Sequence, residues 1–201
     1  MLVKALFLDR DGTIIHDSSE SIVALDQVRL IDRADDALAL AKRAGFKLIM
    51  ISNQGGIAKG VVTKERVDEI NALLQSILAT KNASLDLLYY APYHPKYPKP
   101  EYDAFKSWRK PETGMIRQAQ RDLAAQGLEI DFANSFFIGD KQIDVECGLR
   151  AGLRSILVKT GYGEEEICKE KHTLPELVAN DLCDAIDYVL KINRANVVRH
   201  A

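Results

Sequence analysis

Short apolar runs alternate with longer segments of helical periodicity along the chain. Residues 3–8 and 46–52 are nearly continuous runs of aliphatic and aromatic side chains, and polar residues follow both runs directly. A short apolar run that ends in a turn signal is typical of a strand that is buried on both faces of a sheet. The pattern predicts five such strands, at residues 3–8, 46–52, 85–90, 135–140 and, with its following loop, 154–163.

Helical periodicity fills most of the segments between these strands. Apolar residues recur three or four positions apart in five segments, which are 33–43, a long stretch after Thr63, 113–126, 142–152 and 175–192. We expect Asp32 to cap the first helix at its N-terminus, Gly45 to follow its C-terminus, and Thr63 to cap the second helix. Two segments, 14–31 and 91–110, show no period and are predicted loops, the first with or without a short strand pair.

Strands that alternate with helices predict right-handed crossovers and a parallel sheet. We therefore predict an α/β fold, with a Rossmann-like parallel sheet of about five strands and helices on both faces. The 201 residues suit one domain, which we place at 1–193 with a C-terminal tail at 194–201.

The composition excludes several classes of function. A formal net charge of −2 argues against a general nucleic-acid binder. Three widely spaced cysteines, Cys147, Cys168 and Cys183, argue against a disulfide framework and against a thiolate metal site. The N-terminal region has neither a long apolar run nor a cleavage site, so we expect a cytoplasmic protein with no membrane partner. We also expect it to be a monomer.

Acidic, hydroxyl and basic side chains follow several of the predicted strands. In an open parallel sheet, ligands bind beyond the carboxyl ends of the strands, so these side chains should converge. The candidates are Asp9 and Asp11 after the first strand, Ser52, Asn53 and Gln54 after the second, Arg109 and Lys110 before a helix, and Asp140, Lys141 and Asp144 after the fourth.

The carboxylates of Asp9, Asp11 and Asp140 would repel one another in one crevice unless a cation lay between them. Mg²⁺ prefers hard oxygen ligands and leaves room for phosphate oxygens, so the sequence predicts a magnesium site. Ser52, Lys110 and Lys141 would supply hydrogen-bond donors and positive charge to a phosphoryl group that shares this metal. Arg10 should point away from its two neighbours by strand alternation, and we predict no catalytic role for it.

Four motifs, "FLDRDGTI", "ISNQ", "RKP" and "FIGDKQID", resemble in sequence and order those of the haloacid dehalogenase (HAD) superfamily of phosphatases. The longer stretches "SNQGGIAKG" and "IGDKQIDVECGLRAG" resemble one branch of that superfamily. This branch contains histidinol phosphatases and D-glycero-D-manno-heptose 1,7-bisphosphate 7-phosphatases, and the segment after the second strand is closer to the heptose enzymes. The resemblance implies a HAD-like fold and extends to about Gly161.

The resemblance also implies a role for each motif residue. Asp9 would be the nucleophile that forms an aspartyl-phosphate, and Asp11 would act as general acid and then as general base. Ser52 and Lys110 would hold the phosphoryl group during its transfer. Mg²⁺ would be bound by Asp9, Asp140 and the backbone carbonyl of Asp11.

The remaining motif residues would lie around the substrate. Arg109, Asn53, Gln54 and Lys141 would contact it, and Asp144 would be an outer partner of the metal site. The implied activity is Mg²⁺-dependent hydrolysis of a phosphomonoester. The favoured substrate is the 7-phosphate of heptose bisphosphate, in precursor synthesis for lipopolysaccharide or nucleotide-heptose, and histidinol phosphate or another small sugar phosphate is the alternative.

The segments between the motifs are too short for an inserted cap domain, so we predict a capless site. Three loops, at 16–30, 54–62 and 91–109, would then set the specificity. In the segment 91–110, positive side chains outnumber negative ones by three, which would suit a second phosphate on the substrate. The segment "HDSSESIVAL" differs from the His-Gly-Tyr-Val segment that is usual in the heptose enzymes.

Many relatives bind a structural zinc ion in the last of these loops. The corresponding positions here are Ala91, Tyr93, Lys106 and Trp108, and the remaining His94 cannot form a structural zinc site alone. We therefore predict no zinc, and we expect Trp108 and neighbouring tyrosines to order the loop as a small apolar cluster.

Two other classes of function remain to be distinguished from a phosphatase. A receiver-like module also accepts phosphate on an aspartate at a strand end, but it lacks a second aspartate two residues later, so Asp11 favours the enzyme. A catalytically idle partner protein is the third reading, and the presence of all five catalytic and metal-binding motif residues argues against it.

Overall fold

The fold is built on one parallel sheet of six strands. The computed structural model describes residues 1–18 and 21–199. Every helix among these residues is too short or too polar to span a lipid bilayer. The strands are β1 (Leu2–Val3), β2 (Ala5–Leu8), β3 (Lys47–Asn53), β4 (Leu87–Ala91), β5 (Glu129–Ile130), β6 (Phe136–Gly139), β7 (Arg154–Val158) and β8 (Leu177–Ala179). The strand order in the sheet is β4-β3-β2-β6-β7-β8, and a separate pair joins β1 and β5.

Helices cover both faces of this sheet, as the sequence predicts. They are α1 (Ala34–Arg43), α2 (Gly56–Lys59), α3 (Lys64–Ala79), α4 (Gly114–Ala124), α5 (Gln142–Arg150), α6 (Glu165–Glu170) and α7 (Leu182–Arg199). Short 3₁₀ helices lie at Leu25–Gln27, Pro100–Trp108 and Phe132–Asn134. In the described residues, no separate domain interrupts the connections around β2 and β3, so the fold is capless.

Apolar contacts on both faces explain the continuous apolar runs. Leu6 and Leu8 of β2 pack into the core on the side of α1, α3 and α7, whereas Phe7 packs into the core on the side of α4. All three side chains are fully buried, and burying a side chain of this size contributes about 1.5–3 kcal/mol. A strand that is apolar on both faces in this way lies in the centre of the sheet. The residues after β2 therefore lie in the middle of the edge that the carboxyl ends of the strands form.

The C-terminal part of the chain differs from the prediction. A helix was predicted for 175–192, but β8 occupies 177–179 and α7 begins only at Leu182. The helix α6 was not predicted. A strand of three residues is too short to show the alternation of apolar and polar residues that identifies a strand. The prediction therefore extended the helical spacing of the following residues over it. The last helix runs to Arg199, beyond the predicted domain end at 193, and residues 200–201 of the predicted tail lie outside the described residues.

The predicted helix ends are partly confirmed. Thr63 caps α3, because its side chain accepts a hydrogen bond from the backbone N–H of Arg66 at 3.1 Å. Gly45 follows α1 with a φ of 87°, in the left-handed region that glycine favours. The prediction for Asp32 was wrong, since Arg33 is the capping residue, with a φ of 59° and no hydrogen bond from its side chain to the helix.

Aromatic rings order the connection between β4 and α4. The Trp108 ring lies edge-on to Tyr89, with 5.8 Å between ring centroids, and edge-on to Phe105 at 5.3 Å. The predicted cluster of Trp108 with a neighbouring tyrosine is thus confirmed, and Phe105 joins it. The 3₁₀ helix Pro100–Trp108 packs against β4 and α4 through this cluster.

We expect Trp108→Ala to lower the free energy of unfolding by about 1–3 kcal/mol, because the ring is partly buried and makes two edge-on contacts. Urea unfolding measures this loss, and limited proteolysis should show faster cleavage within 91–109. The matched variant Trp108→Phe retains a ring and should lose less. Equal stability of Trp108→Ala and the unmodified protein would contradict this role.

Candidate active site

Three buried aspartates lie together at the carboxyl ends of β2 and β6. Oxygen atoms of Asp9, Asp140 and Asp144 all lie within 4.8 Å of one another. The pairing of Leu8 with Ile138 in adjacent strands brings Asp9 beside the residues after β6, and the Asp9 N–H donates to the Ile138 carbonyl at 3.0 Å. We call these three residues the acid cluster. In the part of the chain that the structure describes, no other group of three possible metal ligands is as close.

Lys110 supplies positive charge to this cluster. Its Nζ atom lies 2.7 Å from Asp9 Oδ1 and 2.7 Å from Asp144 Oδ1, and it donates to the Ile51 carbonyl at 3.1 Å. The side chain of Asn53 holds the Lys110 backbone from both sides, since Oδ1 accepts from the Lys110 N–H at 2.9 Å and Nδ2 donates to its carbonyl at 3.1 Å. Although burial opposes it, the charges of Asp144 and Asp9 raise the Lys110 pKa, so the ammonium group stays charged.

The acid cluster is arranged to receive a cation. Burial, only partly offset by Lys110, raises the pKa of Asp9 to about 6, and burial together with the charges of Asp9 and Asp144 raises the pKa of Asp140 to about 8. Asp140 Oδ1 is buried and accepts no hydrogen bond. An unpartnered buried carboxylate oxygen beside two further carboxylates is the donor set that Mg²⁺ prefers. The residues present therefore fit a divalent cation.

The loop after β7 holds Asp140 in place, and the sequence did not predict this contact. The Tyr162 N–H donates to Asp140 Oδ2 at 2.8 Å. Gly161 lies against the same carboxylate, where a Cβ atom would overlap it, and a Cβ atom at Gly12 would come within 2.6 Å of Asp140 Cγ. The sequence signal was the "TGYG" turn directly after the strand.

Asp11 lies apart from the acid cluster and faces a different set of donors. Arg10 binds it through both ends of the guanidinium, with Nε 2.9 Å from Oδ1 and Nη2 3.0 Å from Oδ2. Gln54 Nε2 donates to Asp11 Oδ2 at 3.0 Å and to Ser52 Oγ at 2.8 Å, so it links two of the four predicted catalytic residues. Burial opposes ionisation, but the charge and hydrogen bonds of Arg10 outweigh it and lower the pKa of Asp11.

The prediction that Arg10 points away from its neighbours was wrong. The strand β2 ends at Leu8, and the carbonyl of Arg10 accepts hydrogen bonds from the N–H groups of Ile14 and Ile15 at 2.9 and 3.0 Å. The backbone therefore turns at Arg10, and the alternation of side chains along a strand no longer applies there. The Arg10 side chain is fully buried beside Asp11.

A cavity of about 250 Å³ opens beside Asp11. We call it the cleft. The four residues predicted to contact substrate all line it, which are Asn53, Gln54, Arg109 and Lys141. Each of the three predicted specificity loops contributes to its wall, since Asp17 comes from the first, Gln54 from the second and Arg109 from the third. Four further predicted site residues are buried and do not line the cleft, which are Asp9, Ser52, Lys110 and Asp140.

Further residues that were not predicted to contact substrate also line the cleft. Among them are Asp17, Lys59, His94 and Tyr162. Asp17 Oδ2 pairs with Lys141 Nζ at 3.1 Å, and the same ammonium lies 4.4 Å from the centroid of the Tyr162 ring. From the sequence, Asp17, Lys59 and His94 could have been expected at the cleft only because they lie in the three predicted specificity loops.

One wall of the cleft is strongly positive. Burial, together with the charges of Arg109, Lys59 and Lys96, lowers the pKa of His94. A Cβ atom at Gly55 would come within 2.8 Å of His94 and 3.1 Å of Arg109, so the glycine allows both side chains to approach the backbone. Lys59 and Arg109 line the cleft without a carboxylate within ion-pair distance in the described residues, and this wall therefore favours an anionic ligand.

The chain is similar to proteins of known family over nearly its whole length. It is 50% identical over 188 residues to the D-glycero-D-manno-heptose-1,7-bisphosphate 7-phosphatase of Chlorobaculum tepidum, which covers 93% of this chain and 94% of the relative. It is 36% identical over 183 residues to the D-glycero-beta-D-manno-heptose-1,7-bisphosphate 7-phosphatase of Escherichia coli K12, covering 90% of this chain and 91% of that protein.

Two further comparisons agree with these relatives. The crystal structure of D,D-heptose 1.7-bisphosphate phosphatase from B. bronchiseptica, complexed with magnesium and phosphate, matches with a TM-score of 0.80 and 26% identity, covering 94% of this chain and 99% of that chain. A family model described as HAD-hydrolase-like matches residues 107–185. The chain therefore belongs to the HAD-like hydrolases, in the family of the D-glycero-D-manno-heptose 1,7-bisphosphate 7-phosphatases.

Proposed function

We propose that this protein is a Mg²⁺-dependent phosphatase that removes the 7-phosphate of D-glycero-D-manno-heptose 1,7-bisphosphate through an aspartyl-phosphate on Asp9. One observation carries the chemistry. The Asp9 carboxylate is buried between a lysine and two further carboxylates, while Asp11, two residues later, faces an open cleft. This arrangement provides a nucleophile and a separate group for proton transfer.

The first step is the attack of an Asp9 oxygen on phosphorus, which forms an acyl-phosphate bond as the bond from phosphorus to the sugar oxygen breaks. Asp11 gives its proton to the departing sugar oxygen. The negative charge of a bound phosphoryl group favours the protonated form of Asp11 that this step requires. Lys110 and the Ser52 hydroxyl stabilise charge on the phosphoryl oxygens.

The second step returns the enzyme to its starting state. Asp11, now a carboxylate, takes a proton from a water molecule that attacks the phosphorus of the aspartyl-phosphate. The bond between phosphorus and the Asp9 oxygen breaks, and inorganic phosphate leaves through the cleft. Mg²⁺, held by Asp9, Asp140 and the backbone carbonyl of Asp11, would neutralise charge on the phosphoryl oxygens.

The choice of substrate rests on the relatives and on the positive wall of the cleft. A bisphosphate places a second anionic group some distance from the reacting phosphate, and Lys59 and Arg109 give one wall of the cleft beside Asp11 its positive charge. The alternative of a receiver-like module is not favoured. A module that only accepts phosphate on Asp9 does not require a second carboxylate, that of Asp11, to face a cleft large enough for a substrate.

A phosphate-release screen tests this function. With Mg²⁺ present, we expect heptose 1,7-bisphosphate, in one of its two anomers, to exceed fructose 1,6-bisphosphate and histidinol phosphate at least tenfold in kcat/KM, about 1.4 kcal/mol of transition-state binding. EDTA should stop release. An Asp9→Asn preparation made in parallel controls for contaminating phosphatases. A smaller preference would contradict the heptose assignment, and no release from any ester would contradict the phosphatase itself.

A further inference from the structure

We propose that Arg10 is a positioning residue that, together with Asn71, fixes the carboxylate of Asp11 for proton transfer to the leaving group. The proposal rests on the phosphatase function above, in which Asp11 exchanges a proton with the substrate. It assigns a role to a residue that lies between the two catalytic aspartates in the sequence and does not line the cleft.

The geometry of the contact is specific to an arginine. The guanidinium meets both oxygens of Asp11, at 2.9 and 3.0 Å, in the parallel two-bond arrangement that a planar fork allows. Such a pair fixes the plane of the carboxylate as well as its distance. Without it, the terminal torsion of an aspartate is broad, and the carboxylate could rotate in its site.

Asn71 fixes the arginine in turn. The third guanidinium nitrogen, Nη1, donates to Asn71 Oδ1 at 2.9 Å, and both side chains are buried. Asn71 lies on α3, at a position where the helix otherwise turns apolar residues, such as Ile70 and Leu74, to the core. A buried amide at such a position is costly without a partner. Arg10 is the partner of its Oδ1, whereas its Nδ2 is buried without a hydrogen-bond partner among the described residues, so the contact with Arg10 offsets part of that cost.

The contacts also determine which part of Asp11 is accessible. An ionised carboxylate has about four acceptor sites. Arg10 uses two and Gln54 a third, and the Asp11 side chain is still 16% exposed. Since Asp11 lines the cleft, the remaining site faces the substrate. Arg10 therefore directs the one open position of the carboxylate to where the leaving oxygen must lie.

The test compares two leaving groups in Arg10→Lys. Lysine retains the charge but loses the two-bonded fork. A sugar alkoxide needs a proton as it leaves, whereas 4-nitrophenolate is stable without one. We expect kcat/KM to fall about 10–100-fold with heptose 1,7-bisphosphate and less than about threefold with 4-nitrophenyl phosphate. The ratio of the two values, measured on one preparation, does not depend on the fraction of active protein.

Two further variants complete the experiment. Arg154→Lys breaks a similar two-bonded pair, with Glu176, far from the cleft, and it should leave the ratio unchanged. Asn71→Leu keeps Arg10 but removes its third contact, and it should shift the ratio in the same direction by a smaller factor. If Arg10→Lys does not fold, the ratio measured for Asn71→Leu tests the positioning role of Arg10.

The outcomes separate the two proposals. Equal losses with both substrates, or no loss with either, would overturn the positioning role of Arg10 while leaving the phosphatase function intact. If the unmodified protein hydrolyses only the aryl ester, the heptose assignment fails, and phenyl phosphate, whose leaving group is more basic, replaces the sugar phosphate in the same comparison.

Discussion

Asp9→Asn is expected to lower phosphate release by about 10⁴-fold or more. An amide cannot form the acyl-phosphate. Because the catalytic residues act together, loss of the nucleophile removes most of the rate enhancement that they produce. Initial rates with heptose 1,7-bisphosphate and Mg²⁺ measure the loss. Asp187→Asn, which neutralises an exposed aspartate on α7, is the matched control and should keep full activity. Residual activity above about one per cent in Asp9→Asn would exclude Asp9 as the nucleophile.

The same substitution is expected to stabilise the metal-free fold. Burial raises the Asp9 pKa to about 6, so the native state binds a proton more tightly than the unfolded chain, in which the pKa is about 4. The stability of the unmodified protein should therefore fall as pH rises from about 4 to above 6, and Asp9→Asn should lack this contribution. Urea unfolding in EDTA at pH 5 and pH 8 measures the difference. A greater stability of the unmodified protein at pH 8 would contradict it.

The strand-end residues could be predicted together because a parallel sheet leaves little freedom in their placement. The apolar runs that precede Asp9 and Asp140 identify buried strands, and parallel strands bring their carboxyl ends to one edge of the sheet. The structure places Asp9, Asp140 and Lys110 at that edge, and the four predicted substrate contacts line one cleft. What each residue binds follows less directly, because it depends on side-chain directions after the strands have ended.

Arg10 shows where pattern reasoning stops. Alternation of side chains applies only within a strand, and β2 ends at Leu8, before Arg10. The backbone turns at Arg10, whose carbonyl accepts hydrogen bonds from Ile14 and Ile15 further along the chain. Tyr162 shows a second limit, since its N–H reaches Asp140 across 22 residues of sequence. The contacts of Arg10 with Asp11 and of Tyr162 with Asp140 both lie in loops. No hydrophobic periodicity indicates there which side chain or backbone N–H faces the site.

Lys110→Met should be the most destabilising single substitution in the site. Lys110 is buried and pairs with Asp9 and Asp144 at 2.7 Å each, so an apolar side chain of similar length leaves two buried carboxylates without their cation. Removing one partner of a buried ion pair costs about 3–5 kcal/mol. Urea unfolding in EDTA at pH 7.5 measures the loss. Phosphate release should also fall by about 10²–10³-fold, because a donor to the phosphoryl oxygens is lost.

A second substitution separates the charge from the packing. Asp144→Asn keeps an oxygen that can accept the hydrogen bond from the Lys141 N–H, now at 3.1 Å, but removes one of the two unpaired charges. The double variant Lys110→Met/Asp144→Asn should therefore recover a large part of the stability and none of the activity. Stability of the single variant should also improve at pH 5, where Asp9 binds a proton. A double variant as unstable as Lys110→Met would show that packing, and not charge, makes Lys110 indispensable to the fold.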